Sequence, residues 1–230
     1  MVANLVLDGM LVSTQTIAEP VHAIVVKSGA GDVNLIPTGG RIEVRQTQHY
    51  VLEKPNVTLR VRDGVLTLDS DCSAIVLKCS ADVRVTVPRG IDVTVEADAG
   101  DIDAREVNAR SVHMQSDSGD VRLGLVGRQR LVWAHADSGR VEVIAANARA
   151  VDAQTDSGDV AVDVFRRAPR RVVVRSGSGF VQVLALNGDY AIKTRTDSGE
   201  VKIDGLSRND RAPNSIEARS DSGDIALRAR

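Results

Sequence analysis

Aromatic residues are nearly absent from this 230-residue sequence, at 2% of the composition, although 43% of the residues are hydrophobic. A core must therefore be built from Val, Ile, Leu and Ala, which suits a narrow interior of stacked β-branched side chains. The net charge of −2 has no dominant sign. Because nucleic-acid binding usually combines a basic face with stacking aromatics, the composition argues against nucleic acid as a partner.

The sequence also lacks long hydrophobic runs. The longest aliphatic stretches, such as residues 23–26, are far too short to span a membrane, so we expect no membrane insertion by this chain. Residues 1–8 have neither the basic segment nor the sustained apolar segment of a secretory signal peptide. The sequence as written therefore predicts a cytoplasmic protein. A chain from which an anchor had been removed would look the same, and the alternative location is the cell envelope.

Cysteine is rare, with only Cys72 and Cys79 in the sequence. Their spacing matches neither paired Cys-x-x-Cys zinc ligands nor a dense framework of disulfides. Two interpretations remain open. The residues are either two buried thiols or, if the protein is exported, a single local disulfide.

Motifs of common enzymes are missing as well. The sequence has no Gly-x-x-x-x-Gly-Lys-[Ser/Thr] phosphate loop, no His-Glu-x-x-His zinc motif and no Ser-His-Asp pattern. No irregular acidic cluster suggests a cleft, and catalytic sites usually break local regularity. We therefore expect a protein without enzymatic activity or a cofactor. The alternative is a polysaccharide-active enzyme that uses acidic residues on its outer face.

What the sequence does contain is a five-residue unit, Asp-Ser-Gly-Asp-Val at residues 117–121, that recurs with small changes. From residue 100 onwards its glycines are separated by 19–24 residues, and looser copies precede them. Fixed periods of this length are typical of solenoids, propellers and other arrays. The glycines that we predict to lie at turns are Gly31, Gly64, Gly100, Gly119, Gly139, Gly158, Gly179, Gly199 and Gly223.

Apolar and polar residues alternate on both sides of each glycine. Around Gly119, for example, Val112 and Met114 precede the turn at alternate positions, and Val121 and Leu123 follow it. Period-two alternation on both sides of a turn predicts two half-buried strands per repeat. The intervening residues are mostly polar and should face solvent.

Two architectures fit this repeat. A two-residue hairpin would place Asp117 directly opposite Asp120 and would repeat this unfavourable like-charge pair in other copies. A corner between two sheets of a coil avoids these pairs, although it stacks each Asp about 4.8 Å from its counterpart. We therefore predict an all-β, single-domain β-solenoid (β-helix) over residues 1–230, with coils of about 20 residues and two or more short strands per coil. Residues 1–97 form irregular coils and residues 98–230 form the regular repeats.

An ordered set of landmarks accompanies the repeat. Residues 25–33 end in Gly-Ala-Gly-Asp-Val, and residues 63–68, the two cysteines and residues 83–90 follow. With these landmarks the sequence resembles the bacterial putative-adhesin family of β-strand-repeat domains of unknown function, over nearly its whole length. The resemblance implies a β-helix displayed at the cell envelope and supplies no catalytic residues.

We accordingly expect an adhesin-like or scaffold protein that presents a repetitive surface to a protein or a glycan. An intracellular self-assembling scaffold is a further alternative. The sequence ends on a predicted strand at residues 225–230 without an evident cap. An unpaired edge invites end-to-end association of copies, which the charges of Arg228 and Arg230 would oppose.

The acidic residue two positions before the turn glycine is the most repeated polar feature. Asp at such a turn typically accepts hydrogen bonds from nearby backbone N–H groups, while glycine adopts a positive φ. Stacked carboxylates would alternatively offer oxygen ligands to calcium, although the repeat differs from the nine-residue calcium-binding coil. This calcium hypothesis involves Asp98, Asp117, Asp137 and Asp156.

Four residues break the polar pattern of the outer faces. His113 and Trp133 each stand six residues before a turn glycine and should be neighbours, and His135 lies two positions after Trp133. Phe180 replaces the usual acid after its glycine. An exposed Trp beside two histidines is a candidate contact for a protein or a sugar ring, and Phe180 is a second exposed apolar candidate.

Overall fold

The structure is a computed structural model that describes residues 8–51, 53–72 and 79–230. Residues 1–7 of the predicted domain lie outside the described residues. Every regular element in the described ranges is a β-strand, which confirms the all-β prediction, and no helix there is long and apolar enough to cross a membrane. The strands are β1 (Asp8–Ile17), β2 (Ala23–Ser28), β3 (Val33–Pro37), β4 (Ile42–Val51), β5 (Asn56–Arg62), β6 (Val65–Asp71), β7 (Cys79–Val87), β8 (Asp92–Ala99), β9 (Ile102–Val107), β10 (Ser111–Ser118), β11 (Val121–Leu125), β12 (Leu131–Ser138), β13 (Val141–Ala145), β14 (Ala150–Ser157), β15 (Val160–Val164), β16 (Arg171–Ser178), β17 (Val181–Ala185), β18 (Asp189–Ser198), β19 (Val201–Asp204), β20 (Ser207–Arg208), β21 (Ser215–Ser222) and β22 (Ile225–Ala229).

The strands form two mixed sheets of 11 strands each. Sheet A has the order β1-β4-β7-β3-β9-β11-β13-β15-β17-β22-β19, and sheet B has the order β20-β18-β21-β16-β14-β12-β10-β8-β2-β6-β5. The antiparallel pairs are β1 with β4, β4 with β7 and β5 with β6, and the other pairs are parallel. Inward-pointing side chains of both sheets, mostly Val, Ile, Leu and Ala, form one hydrophobic core.

Each repeat contributes one strand to each sheet, and we call such a pair of strands a rung. The rung β10–β11, for example, pairs in parallel with β8–β9 on one side and β12–β13 on the other. Its predicted inward residues Val112, Met114, Val121 and Leu123 are at most 2% exposed. The repeated unit is therefore a corner between sheets, and the hairpin alternative is excluded for it.

Glycine is required at this corner, which we call the glycine corner, for two physical reasons. The predicted turn glycines other than Gly64 all have φ between 116° and 151°, a region that residues with a Cβ rarely adopt. A Cβ on Gly139 would also lie 2.2 Å from the carbonyl oxygen of Gly119 in the adjacent rung. Adjacent rungs thus approach each other too closely at this corner for any side chain.

Buried hydroxyl groups complete the glycine corner. Three positions before the turn glycine, an inward Ser or Thr donates to the carbonyl oxygen of the glycine in the neighbouring rung. Ser116 Oγ reaches Gly100 O at 3.0 Å, and Ser176 Oγ reaches Gly158 O at 2.8 Å. These bonds satisfy carbonyl groups that would otherwise be buried without a donor.

Gly64 lies at a turn, as predicted, but the turn is a hairpin and not a glycine corner of the repeat. Gly64 lies with Asp63 in a two-residue turn between the antiparallel strands β5 and β6, where Arg62 pairs with Val65. Both turn residues have positive φ, 50° for Asp63 and 71° for Gly64, as this type of hairpin turn requires. The Asp-Gly dipeptide is a strong signal for such a turn and prevails over the position of Gly64 in the repeat.

The rungs are not stacked in chain order at either end. The rung β2–β3 lies between β6–β7 and β8–β9. The rung β21–β22 lies between β16–β17 and β18–β19. Because β22 is paired on both sides, the predicted unpaired edge at residues 225–230 is wrong. At this end of the stack, the edge strands are β19 and β20 instead.

Candidate functional site

The outer face of sheet B carries a column of three rings, which we call the aromatic column: His113, Trp133 and His135. As predicted, His113 on β10 and Trp133 on β12 are direct neighbours. Their ring centroids are 3.9 Å apart with an interplanar angle of 7°, and the ring of His135 lies 5.6 Å from that of Trp133. The sequence alternation is sufficient to place all three rings together on one face.

This stacking determines which part of the indole a ligand can reach. Neighbouring strands lie about 4.8 Å apart, so rings in register cover each other's faces. His113 covers one face of Trp133, and Asp152 of β14 stands in register on the other side. The half-buried indole therefore presents an edge to solvent, rather than an open face on which a sugar ring could lie flat.

The two histidines of the column differ in their electrostatic setting. Burial lowers the pKa of His113 below its ordinary value, while the nearby Glu96 carboxylate opposes this shift. His113 is therefore mostly neutral at pH 7 where it stacks on Trp133. His135 Nε2 lies 2.8 Å from Asp137 Oδ1, which orients that ring.

Polar and apolar groups surround the column. On β14, the strand next to β12, Gln154 Nε2 donates to Asp152 Oδ1 at 2.6 Å. Leu131, two residues before Trp133, is 45% exposed. Aromatic rings with a polar rim are a common composition for protein and glycan contact surfaces.

The structure does not bring Phe180 into the aromatic column. Phe180 lies at the glycine corner of the rung β16–β17 and is 38% exposed. Its backbone N–H donates to Asp159 Oδ1 at 2.9 Å, as the acidic residues at this position do in other rungs. Phe180 is thus a separate exposed apolar residue whose backbone behaves like that of its counterparts.

The acidic residues that hold the glycine corner are those after the glycine, and the prediction that assigned this role to the acids before it is wrong. Asp101 Oδ1 accepts a hydrogen bond from the backbone N–H of Asp120 at 2.9 Å, and Asp120 Oδ1 accepts one from that of Arg140 at 2.8 Å. Although burial opposes the shift, hydrogen bonds from Asp120 N–H and Arg122 leave the pKa of Asp101 below its ordinary value. The row of acidic residues that follow the turn glycines therefore ties each rung to the next.

The acids before the glycine form a separate, exposed column on sheet B. Asp137 contacts His135, and in two other rungs an arginine two residues earlier pairs with the acid, as Arg195 does with Asp197. Among the described residues, no three His, Cys, Asp or Glu side chains are arranged to hold a metal ion. The calcium hypothesis for Asp98, Asp117, Asp137 and Asp156 remains a prediction that rests on the sequence alone.

Cys72 and Cys79 form a disulfide with their Cα atoms 5.9 Å apart. The bond joins the residue that follows β6 to the first residue of β7, in a rung that lacks the Asp-Ser-Gly unit. Of the two interpretations of the cysteines, the structure contains the local disulfide.

On the opposite side of each rung, the chain leads from sheet A back to sheet B, and there the structure gathers arginines that the sequence reasoning missed. The connections 126–130, 146–149 and 165–170 form what we call the arginine corner. They contain no Asp or Glu, and all six of their arginines are exposed. The six are Arg128, Arg130, Arg149, Arg166, Arg167 and Arg170.

A periodic signal in the sequence could have found this corner. Arg110, Arg130, Arg149 and Arg170 each precede a turn glycine by nine residues and so follow the glycine period. The overall charge of −2 conceals the cluster, because acidic residues elsewhere compensate for it. The expectation that no basic face exists is therefore wrong for this corner.

Comparison with known proteins agrees with this architecture. A family model described as Toastrack DUF4097 matches residues 21–230. A structure described as a "putative adhesin" from Parabacteroides merdae has 13% identity and a TM-score of 0.51, and the match covers 95% of each chain. A "putative lipid binding protein" from Parabacteroides distasonis has 14% identity and a TM-score of 0.51, covering 94% of this chain and 96% of that one.

At such identities the two structures show a shared fold and nothing more. No curated protein matches the chain significantly. The family match, by contrast, extends over nearly the whole chain and confirms the resemblance seen in the sequence. The chain belongs to the toastrack DUF4097 family of domains of unknown function.

Proposed function

We propose that the protein is a non-enzymatic, adhesin-like contact protein built as a single-domain β-solenoid with coils of about 20 residues. The parallel pairing of successive rungs in both sheets and their common hydrophobic core support the solenoid. The fold shared with the Parabacteroides merdae protein described as a "putative adhesin" is consistent with a role in adhesion.

The aromatic column is the observation that carries this proposal. Its three rings are the main departure from a polar outer face on sheet B, and they stand in contact with one another. Aromatic side chains supply large contact area at low conformational cost, and Trp is enriched where binding energy concentrates. Because the indole presents its edge to solvent, we propose that a protein or glycan contacts the exposed ring edges of the aromatic column. It does not stack flat on the face of the indole.

The two carboxyl groups whose pKa is shifted, Asp92 and Asp101, do not have the property that the polysaccharide-active alternative requires. A glycosidase needs one carboxyl group whose pKa is raised so that it can act as an acid. A hydrogen bond from Arg110 lowers the pKa of Asp92, and the pKa of Asp101 is also lowered, with Arg122 as one donor. Both groups serve as anionic partners of arginines.

The decisive experiment replaces Trp133 with a side chain that already occupies the equivalent position on another strand of sheet B. Thr94 stands in register with His113 on the neighbouring strand, so Trp133→Thr is compatible with the sheet. We expect at least a tenfold loss of binding on a glycan array and to bacterial and host surface proteins, with unchanged thermal stability. Ile144→Thr, at a 39% exposed apolar residue outside the aromatic column, is the matched control and should retain binding.

Three further outcomes bear on the same proposal. Unchanged binding by Trp133→Thr contradicts the role of the aromatic column. Release of reducing ends from any bound glycan would favour the enzyme. Loss of binding in Phe180→Ser alone would move the contact to the glycine corner.

We also propose that the protein resides in the cell envelope rather than the cytoplasm. Disulfides persist in oxidising compartments and are rare in the cytosol. The Cys72–Cys79 bond therefore supports a location in the cell envelope. Protease treatment of intact cells should degrade the native protein if it is displayed. Protection until the cells are lysed would support a cytoplasmic location.

Self-association at the end of the stack is a second candidate function, and the exposure of one rung favours it. Val201 of β19 is 41% exposed, whereas its counterparts Ile225 in the adjacent rung and Val181 in the rung beyond it are 0% exposed. An open edge strand with exposed apolar side chains invites a second copy. Light scattering should show a molecular mass that rises with protein concentration. The variant Val201→Lys should keep the mass of the monomer at all concentrations. A constant monomer mass for the unmodified protein would exclude assembly at this end.

A further inference from the structure

The arginine corner arranges its side chains in a row along the stack of rungs. The backbone N–H of Arg130 donates to Arg110 O at 2.7 Å, that of Arg149 to Gln129 O at 2.9 Å and that of Arg170 to Arg149 O at 2.8 Å. These bonds and the strand register place successive arginines about 4.8 Å apart along the sheet. The row is therefore a regular series of arginine residues.

Most of this positive charge forms no ion pair among the described residues. At one end of the row, Arg110 is paired with Asp92. None of the six arginines of the arginine corner lies within ion-pair distance of a carboxylate in the described part of the chain. Like charges at this spacing repel each other. Backbone bonds hold the rungs together here, so the fold does not need these side chains.

The row also borders a cleft of about 470 Å³. Arg128, Arg149, Arg167 and Arg170 line it together with the amide side chains of Asn147 and Asn214. Cations and neutral hydrogen-bonding groups are thus mixed in one concave site. A volume of this size is within the range of small-ligand sites.

One buried polar atom in this cleft lacks a partner. Gln129 is 2% exposed and its Nε2 donates to Val126 O at 2.6 Å. Its Oε1 has no hydrogen-bond donor among the described residues. Buried acceptors usually have a partner, but this atom is too deeply buried for a ligand in the cleft to reach.

We propose that the arginine corner binds a linear acidic polysaccharide. Carboxylate or sulfate groups along the polymer pair with Arg130, Arg149 and Arg170, and sugar hydroxyl groups bond to the amides of the cleft. Arginine suits this task because its planar fork donates two parallel hydrogen bonds to an oxyanion. A repeating ligand matches a row that repeats over the successive rungs from Arg110 to Arg170.

Two other polyanions fit the observations less well. Single-stranded nucleic acid is bound by aromatic side chains that stack on bases, and the residues that line the cleft include no aromatic side chain. A flat anionic membrane can touch the row but cannot enter the cleft. The combination of asparagine amides and guanidinium groups around one cleft favours a hydroxylated polymer.

The test measures binding of polygalacturonate and dextran sulfate to the full chain by calorimetry, with neutral dextran as a blank. The variant Arg149→Gln/Arg170→Gln should lose at least tenfold in affinity for the polymer that binds. Arg60→Gln/Arg62→Gln removes the same charge from the edge strand β5 at the other end of sheet B and should keep its affinity. Comparison of the two polymers separates carboxylate from sulfate recognition.

Several results would overturn this proposal. They are absence of binding by both polymers at low salt, an equal loss in the two double variants, or tighter binding of poly(dT) or phosphatidylglycerol vesicles than of either polymer. Trp133→Thr should bind the acidic polymer normally. Its behaviour distinguishes failure at the arginine corner from failure of the aromatic column.

Discussion

The two corners of a rung solve different problems. The glycine corner has the same two-residue connection, glycine and the residue after it, in rung after rung, and its contacts come from backbone, a buried hydroxyl and one carboxylate. The arginine corner has connections of unequal length, 126–130, 146–149 and 165–170, and carries exposed charged side chains. Stacking is fixed at the first corner, which leaves the second free to vary. The corner that holds the fold thus keeps both its length and its contacts from rung to rung, whereas the corner available for binding varies in length and repeats only its arginines.

The largest effect should follow from adding a methyl group at the glycine corner. Gly139→Ala would place a Cβ 2.2 Å from a backbone oxygen at φ 147°, and we expect a loss of more than about 4 kcal/mol in unfolding free energy. Chemical denaturation monitored by circular dichroism measures this loss. Gly39→Ala is the control, because a Cβ there meets nothing within 4 Å. Equal unfolding free energies of the two variants would contradict the claim that the glycine corner excludes a side chain.

A smaller effect should follow from opening the disulfide between Cys72 and Cys79. Cys72→Ser/Cys79→Ser frees a short loop, and we expect a loss of about 2 kcal/mol. The same loss should be seen for the unmodified protein in the presence of a reducing agent. No change in either case would mean that the β6–β7 connection is held by other contacts.

Removal of one buried hydroxyl group should cost less again. Ser176→Ala deprives Gly158 O of its donor, and we expect a loss of about 1 kcal/mol. Alanine fits this position, since Ala136 occupies it in another rung. Ser178→Ala, at an exposed residue on the same strand, is the control and should leave the unfolding free energy unchanged. A similar loss in both variants would show that the effect is not due to the bond to Gly158.

The smallest effect on stability should come from the arginine corner. Arg149→Gln/Arg170→Gln reduces like-charge repulsion, so we expect the unfolding free energy to stay within about 0.5 kcal/mol of the original value or to rise. Thermal unfolding at low and high salt measures it. A large destabilisation would mean that this corner holds the fold as the glycine corner does.

Much of the fold could be predicted because alternation and turn chemistry are local. Val112 and Val121 had to face inward, and the glycine between them had to turn. The neighbours His113 and Trp133 followed from equal distances to their glycines. The order of the rungs could not be predicted in this way, because every rung offers its neighbours nearly the same register.

The candidate sites were less predictable for a related reason. The sequence analysis assigned the acceptance of backbone hydrogen bonds to the acids before the glycine instead of those after it. Both positions are acidic in most copies, and only the direction of a backbone N–H such as that of Asp120 decides between them. The charges of Arg130 and Arg149 were overlooked because they lie outside the repeated unit. Their proximity depends on how rungs stack.

The position of β21–β22 between β16–β17 and β18–β19 has a consequence for how the chain reaches its native state. β18 and β21 carry equivalent residues, with Ile192 opposite Ile216 and Ser198 opposite Ser222. A chain that docks its strands in order brings β18–β19 to β16–β17 first, in the place that β21–β22 finally occupies. Folding must then reverse that docking or insert the later rung between two formed ones. Near-identity of repeats, which simplifies the architecture, thus creates a kinetic competitor within the same molecule.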